Sequence, residues 1–216
     1  MAGSVSGSRS GQQWLAPSMT TMPSQTRYEF AGGVQNVQRG MVPRVAGRSY
    51  AIEARLEVPE DGAEGVIVAN ADFIGGFALW IDDQRRLRHT YSFLGVEMYR
   101  QISDVPVPTG DVTVTMLFES DEPKPGSGGQ VTLLANGEPI GGGRMPRTVP
   151  VAFSSYAGMD IGRDNGLVVD REYEDRAPFA FTGTVKRVVF DLAPEHPDVE
   201  IDLAAHEAKL AVSDGA

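Results

Sequence analysis

The sequence has 216 residues, and its 29 acidic and 19 basic side chains give a formal net charge of −10. This excess of negative charge repels a phosphate backbone, so the composition argues against a nucleic-acid partner. The chain contains no cysteine, which excludes disulfide bonds, a thiolate nucleophile and a cysteine metal site.

The first segment, residues 1–26, is predicted to be a disordered tail. It is rich in Gly, Ser, Thr, Met and Pro without an apolar period, so burial cannot offset the entropy of ordering it. It lacks an apolar core of signal-peptide length, and no later segment approaches the ~18 to 20 apolar residues that span a bilayer. We therefore expect a soluble chain with no membrane partner and a cytoplasmic location.

Residues 27–195 carry the sequence pattern of short strands. A first strand is predicted near Arg27–Phe30. In Ser49–Val58 apolar and charged residues alternate from Ile52 onward, which predicts a strand with one dry and one wet face. The run Gly65–Ala71 is nearly all apolar and too short for a helix, so it fits a strand buried on both sides.

The stretch Gly75–Gly95 predicts two aromatic-rich strands joined by a polar loop at Asp82–Arg85, roughly three to five residues long. On the first strand Phe77 and Leu79 share one face, while Trp80 points to the other. On the return strand one face is shared by Leu87, His89, Tyr91 and Phe93. This hairpin is the most aromatic part of the predicted sheet.

The later strands complete a predicted count of roughly ten to twelve. They are Glu97–Ile102, Asp111–Glu119, a hairpin from Gln130 to Gly141 around Asn136-Gly137, Val149–Ser154, Gly158–Gly162 and Gly183–Leu192. Many short strands with glycine and proline between them predict an all-β fold. We expect a two-sheet antiparallel β-sandwich or jelly roll of the concanavalin A or laminin G type. Residues 196–216 are predicted to form a tail with a short helix at Asp202–Val212.

Motifs of known chemistry are missing from the chain. There is no Gly-x-Ser-x-Gly elbow, no His-Glu-x-x-His and no phosphate-binding glycine loop. We interpret His89 as a half-buried sheet residue rather than a catalytic base. The segment Asp160–Gly166 carries oxygen ligands that suit calcium, but such residues also form turns for local reasons. We therefore interpret it as a turn and assign no catalytic, cofactor-binding or metal-binding residue.

Three aromatic residues, Trp80, Tyr91 and Tyr99, are the candidates for a ligand or partner face. Aromatic rings on a β-sandwich can stack on sugars or fill a domain interface. The competing interpretation packs Trp80 against a second layer of the core, because a single aromatic side chain carries little information. A lectin-like carbohydrate-binding module is accordingly one hypothesis for the function.

Several collinear segments resemble the C-terminal β-sandwich of large bacterial arylsulfatases. The similar segments are Arg48–Ile52, Pro59–Ile67, Gly75–Trp80, Tyr91–Glu97, Gly128–Leu134, Arg147–Pro150, Asp160–Asp164 and Pro178–Val185. Together they cover about residues 28–192, and the segment Arg27–Gly47 resembles the connection that follows the catalytic domain in that family. The resemblance implies that the catalytic half is missing.

The catalytic motif of that family can be checked directly. The resemblance implies Cys/Ser-x-Pro-x-Arg, whose first residue becomes formylglycine, and a calcium ion held by Asp and Asn in the catalytic domain. Here cysteine is absent, and none of the 14 prolines has serine two positions before it. Whether the chain is an enzyme is thus left open, and we expect it to be inactive alone, with no cofactor of its own.

The resemblance implies a non-catalytic sandwich, either a truncated product or an accessory subunit. Its predicted core is formed by Ile52, Leu56, Phe77, Leu79, Val114 and Phe118. Two alternatives remain. One is the lectin-like module with a glycan as partner, and the other is an interaction subunit that completes a separately encoded sulfatase catalytic chain.

Overall fold

The computed structural model describes residues 25–150, 152–154 and 156–194. Eleven strands lie within this range: β1 (Arg27–Ala31), β2 (Tyr50–Val58), β3 (Gly65–Asp72), β4 (Gly75–Ile81), β5 (Arg86–Phe93), β6 (Glu97–Pro106), β7 (Gly110–Ser120), β8 (Gly129–Ala135), β9 (Glu138–Met145), β10 (Met159–Ile161) and β11 (Thr184–Leu192). Short 3-10 helices lie at Arg39–Met41 and Arg171–Arg176. The predicted C-terminal helix, and all but the last two residues of the predicted N-terminal tail, lie outside the described residues.

All strand pairs are antiparallel, in the order β1-β11-β2-β7-β8-β9-β6-β5-β4-β3-β10. The ladder folds over between β9 and β6 into two layers, which confirms the predicted sandwich. Only two residue pairs join the layers, Ile102 with Gly142 and Ser103 with Gly141. A Cβ added to Gly141 would lie 2.7 Å from the carbonyl oxygen of Ile102, so glycine is required where β9 approaches β6 closely.

One apolar core fills the space between the layers. It contains all six residues predicted from alternation: Ile52, Leu56, Phe77, Leu79, Val114 and Phe118. Side chains of β2 alternate between buried and more exposed positions, as a strand with one face on the core requires. Every residue of β3 is buried, which confirms the prediction of a strand covered on both sides.

A second, smaller apolar cluster covers the outer face of β3 and β4. The strands contribute Val66, Ala69, Ala78 and Trp80, and the segment between β10 and β11 contributes Val168, Val169, Tyr173 and Phe179. This segment contains the 3-10 helix Arg171–Arg176, which begins with Asp170 as its capping residue. The layer that contains β3 and β4 is therefore buried on both faces at its centre.

Both predicted hairpin turns are present. Asn136 and Gly137 have φ values of 51° and 85°, as a two-residue turn with two positive φ angles demands. Asn136 also accepts the backbone N–H of Thr113 through Oδ1, at 2.9 Å. The loop between β4 and β5 consists of the four residues 82–85, within the predicted length.

The predicted strand Val149–Ser154 is wrong, because its described residues form no strand. The backbone N–H of Val149 donates to Tyr91 Oη at 2.8 Å, and that of Ser154 donates to the Gly75 carbonyl at 3.0 Å. The backbone of the described residues of this segment is thus held by single hydrogen bonds to the Tyr91 side chain and to the first residue of β4. In the described part of the chain, no helix has the length and apolar character needed to cross a bilayer.

Candidate functional site

The three aromatic residues proposed as a ligand face do not form one surface. Trp80 lies on the outer face of β4 and is 4% exposed, whereas Tyr91 lies on the inner face of β5 and is 2% exposed. Tyr99 is half-buried and stacks on Tyr91, with ring centroids 6.5 Å apart and an interplanar angle of 16°. Strand alternation places Trp80 on the opposite side from the tyrosine pair.

Trp80 is enclosed by groups that leave it no free partner. Its ring meets Tyr173 at 5.1 Å and Phe179 at 6.0 Å between centroids, both edge-on. The indole Nε1 donates to Thr90 Oγ1 at 3.1 Å. The guanidinium carbon of Arg88 lies 5.0 Å from the ring centroid. These contacts favour the interpretation in which Trp80 packs against a second layer.

Asp170 is the polar centre of this outer face and is fully buried. Arg100 donates to both of its oxygens, through Nε at 2.9 Å and Nη2 at 2.8 Å. Thr90 Oγ1 donates at 2.8 Å and the backbone N–H of Glu172 at 3.0 Å. Burial raises the pKa of Asp170, but the hydrogen bonds from Arg100, Glu172 and Thr90 outweigh burial and hold it below its ordinary value.

The two carboxylates of the predicted turn Asp160–Gly166 accept hydrogen bonds from nearby backbone N–H groups and from one tyrosine hydroxyl. Asp160 accepts the N–H groups of Asn36 at 2.7 Å and Asn165 at 3.1 Å. Asp164 accepts Tyr173 Oη at 2.6 Å and the Val169 N–H at 2.8 Å, and burial raises its pKa to about 6. These contacts support the interpretation as a turn. Among the described residues, no group of three or more metal-ligating side chains occurs.

His89 is fully buried rather than half-buried as predicted. Its Nδ1 lies 2.8 Å from Gln101 Oε1, and its Nε2 has no hydrogen-bond partner in the described part of the chain. Burial lowers the pKa of His89 to about 4. The ring is therefore neutral at pH 7 and has no exposed atom through which to meet a substrate.

A cavity of about 300 Å³ lies between the connection from β1 to β2 and the segment that precedes β10. Its volume falls at the lower end of the ~300 to 1,000 Å³ typical of small-molecule sites. Most of its wall is apolar, formed by Val37, Val42, Pro43, Val45, Val149 and Phe153. The polar side chains of the wall are Arg39, Arg44, Asn70 and Ser154.

Backbone hydrogen bonds hold one wall of this cavity in place, and aromatic contacts hold the other. On one side Val37 and Met159 exchange two bonds, at 2.9 and 3.1 Å. The 3-10 helix Arg39–Met41 follows directly. On the other side the ring of Phe153 meets Phe77 at 5.5 Å and Tyr91 at 5.6 Å, both edge-on. The cavity is thus anchored to the core.

Asn70 is the polar group that stands out in the cavity wall. It is 4% exposed, and its side-chain amide forms no hydrogen bond with any described residue. Its amide atoms are not among the fully buried polar atoms that lack a partner, so they reach the cavity that the side chain lines and can pair with a ligand there. Sequence reasoning missed Asn70, although its place as the polar residue within the apolar run Gly65–Ala71 was a usable signal.

A second cavity, of about 510 Å³, is lined by acidic residues at the turns after β2 and β4. Two of the four carboxylates that line it, Asp82 and Glu64, already have partners. Asp82 contacts Arg86 at 3.1 Å and Arg88 at 2.8 Å, and Glu64 forms an ion pair with Arg176. The wall of this cavity is therefore acidic, whereas that of the first is mostly apolar.

Comparison with known proteins places the fold. No model of a protein family matches the sequence, and no curated protein matches it. The carbohydrate-binding module CBM40 of the Ruminococcus gnavus IT-sialidase, solved with α2,3-sialyllactose, is 15% identical over 84% of this chain and 95% of that chain, with a TM-score of 0.50.

Two further structures are more distant. Domain 4 of the arabinanase AbnA from Geobacillus stearothermophilus, solved with arabinotriose, is 14% identical over 83% of this chain and 82% of that chain, with a TM-score of 0.47. Domains LG4-5 of the mouse laminin α1 chain are 13% identical over 81% of this chain and 43% of that one, with a TM-score of 0.42. None of these comparisons tests the resemblance to arylsulfatases, which stays a prediction. The chain has an antiparallel β-sandwich fold similar to that of the R. gnavus module.

Proposed function

We propose that this chain is a lectin-like carbohydrate-binding module that takes a sugar residue in the cavity beside Asn70. The observation that carries the proposal is the side-chain amide of Asn70, which lines a mostly apolar cavity and forms no hydrogen bond with any described residue. Small-molecule sites are mostly apolar, with a few polar groups that fix the orientation of the ligand. The cavity matches that description.

The chemistry of a sugar suits these walls. A pyranose ring has apolar C–H faces and a rim of hydroxyl groups. The ring of Phe153 and the valines of the wall can cover an apolar face. The Asn70 amide can donate two hydrogen bonds and accept others, so it can pair with neighbouring hydroxyl groups. One sugar residue could therefore satisfy the amide that the protein leaves unpaired.

The fold gives this proposal independent support. The R. gnavus module of similar fold is a carbohydrate-binding module solved with a bound sialylated trisaccharide. A β-sandwich of this kind thus provides a scaffold on which a glycan site can be built, although fold alone does not specify function. The proposal for this chain depends on the cavity and uses the fold only as a precedent.

The proposed activity is binding without turnover. Glycoside hydrolysis ordinarily uses two carboxylates that flank the scissile bond. Among the described residues that line the cavity there is no aspartate, glutamate or histidine. The proposed module therefore holds a sugar through its ring face and hydroxyl groups, and no residue of the wall is placed to attack it.

A glycan array followed by titration calorimetry tests the proposal. Wild-type protein should bind at least one glycan saturably, and Asn70→Ala should weaken that binding about tenfold or more, as loss of hydrogen bonds in a closed site predicts. Gln130→Ala, an exposed change in the other layer, is the matched control and should bind like wild type. Absence of saturable binding to any glycan would overturn the proposal.

The second candidate is an accessory sandwich that docks on a sulfatase catalytic chain. The collinear arylsulfatase-like segments favour it, and so do two exposed apolar side chains next to the cavity, Met41 at 69% and Tyr156 at 79% exposure. Copurification with a sulfatase catalytic polypeptide would support this candidate. The chain alone should not hydrolyse an aryl sulfate ester. Calcium-dependent hydrolysis above a heat-inactivated control would contradict the expectation that the chain alone is inactive.

A further inference from the structure

The charge of the cavity wall is opposite to that of the whole protein. The chain carries a formal net charge of −10. Among the described residues of the wall, the charged side chains are Arg39 and Arg44, and no aspartate or glutamate lines it. A positive region on an acidic protein attracts small anions.

Arg39 differs from most arginines of the described chain. Ion pairs with carboxylates occupy Arg27, Arg86, Arg88, Arg100, Arg144, Arg147, Arg176 and Arg187. Arg39 begins an exposed 3-10 helix, and its side chain forms no hydrogen bond or ion pair with any described residue. Its guanidinium is therefore available to a ligand without first breaking a contact.

We propose that the sugar held in this cavity is acidic, with a carboxylate that pairs with Arg39 while its hydroxyl groups pair with Asn70. This inference rests on the proposed carbohydrate-binding function. A planar guanidinium presents parallel N–H donors that match the two oxygens of a carboxylate. Arg39 and Asn70 line the same cavity of about 300 Å³, so a single sugar residue can meet both.

Asn70 and Arg39 recognise different parts of the sugar. Asn70 is buried and reads hydroxyl groups, which neutral and acidic sugars share. Arg39 is exposed and reads the charge, which only the acidic sugar carries. Loss of Asn70 should therefore weaken both classes of glycan, whereas loss of Arg39 should weaken only the acidic class.

The test is a titration with matched pairs of glycans that differ in a carboxylate. One pair is sialyllactose and its methyl ester, and the other is digalacturonate and the corresponding neutral galactose disaccharide. The acidic member of at least one pair should bind about tenfold tighter or more. The pair that shows the difference in affinity identifies which acidic sugar supplies the carboxylate. The difference should shrink as ionic strength rises, because salt screens exposed charges.

Arg39→Ala should bring the acidic glycan down to the affinity of its neutral partner, and Arg39→Lys should keep part of the difference. Arg27→Ala removes an exposed arginine of β1 that is paired with Asp191, and it should leave the difference intact. Equal affinity for acidic and neutral members would overturn this inference and leave the proposed function standing. Persistence of the difference in Arg39→Ala would also overturn it, and failure of every glycan to bind would overturn both.

Discussion

The outer face of β4 and β5 and the cavity beside β3 use similar kinds of residues but differ in how far their polar groups are satisfied. On the outer face, Trp80 donates to Thr90, and Thr90 donates in turn to Asp170. Arg100 completes that carboxylate with two bonds. In the cavity the amide of Asn70 has no such partner among the described residues.

This difference teaches how to separate a binding site from a structural cluster. Aromatic rings, an arginine and a carboxylate are the groups expected of a sugar site, and all of them occur on the outer face. These groups bond to one another, and their contacts hold the segment between β10 and β11 against the sheet. A ligand is better sought where an unpaired polar group lines a cavity.

The largest expected effect is that of removing the ring at the centre of the outer face. Trp80→Ala should lower the free energy of unfolding by about 3 to 5 kcal/mol, because it empties a closed apolar cluster and leaves Thr90 with one contact fewer. Tyr156→Ala, which removes an exposed aromatic ring, should change stability by less than about 0.5 kcal/mol. Urea denaturation measures both. An unchanged stability in Trp80→Ala would show that the outer cluster is not structural.

The next effect concerns the carboxylate of the same face. Asp170→Ala should lower the free energy of unfolding by about 3 kcal/mol, because Arg100 and the 3-10 helix lose their buried partner. The control is Asp191→Ala, which breaks a solvent-exposed pair with Arg27 and should cost no more than about 1 kcal/mol. Thermal and urea unfolding of the two variants make the comparison. Equal losses would contradict the assignment of Asp170 as the polar centre.

Much of the sandwich could be predicted because its strands alternate. In β2 the period of two between buried and exposed positions is set by strand geometry alone, so Ile52 and Leu56 were identifiable as core. The turn at Asn136-Gly137 was identifiable for a similarly local reason, since asparagine and glycine tolerate positive φ. In these places the local sequence and the global fold agree.

The outer cluster and the cavity could not be predicted in this way. Tyr173 and Phe179 lie in irregular backbone with no period, so nothing local indicates that they cover Trp80. One wall of the cavity depends on the pairing of Val37 with Met159, residues far apart in sequence. Aromatic content alone therefore pointed to Trp80, whereas unsatisfied hydrogen bonding points to Asn70.

The two faces of the second layer should also respond to pH in opposite directions. The pKa of Asp164 is raised from 3.8 to about 6 by burial, so the stability its neutral form provides is complete below pH 3.8 and is lost as pH rises through 6. The pKa of His89 is lowered from 6.5 to about 4 by burial, so its stability is complete above pH 6.5 and is lost as pH falls through 4.

Variants isolate these two contributions. Relative to wild type, Asp164→Asn should gain up to about 3 kcal/mol of stability as pH rises from about 4 to about 6. His89→Gln should instead gain relative to wild type as pH falls over a similar range. Urea unfolding at a series of pH values measures both differences. A difference of the same sign for the two variants would contradict the assignment of opposite titrations.

The smallest expected effect on stability is that of removing the unpaired amide of the cavity. Asn70→Ala removes no hydrogen bond to a described residue, so the free energy of unfolding should change by less than about 1 kcal/mol in either direction. The same variant should lose glycan affinity, which separates it from Trp80→Ala. A loss of 3 kcal/mol or more on urea unfolding would mean that Asn70 already has a structural partner. The amide would then belong with the satisfied groups of the outer face, and the cavity would no longer carry the proposed site.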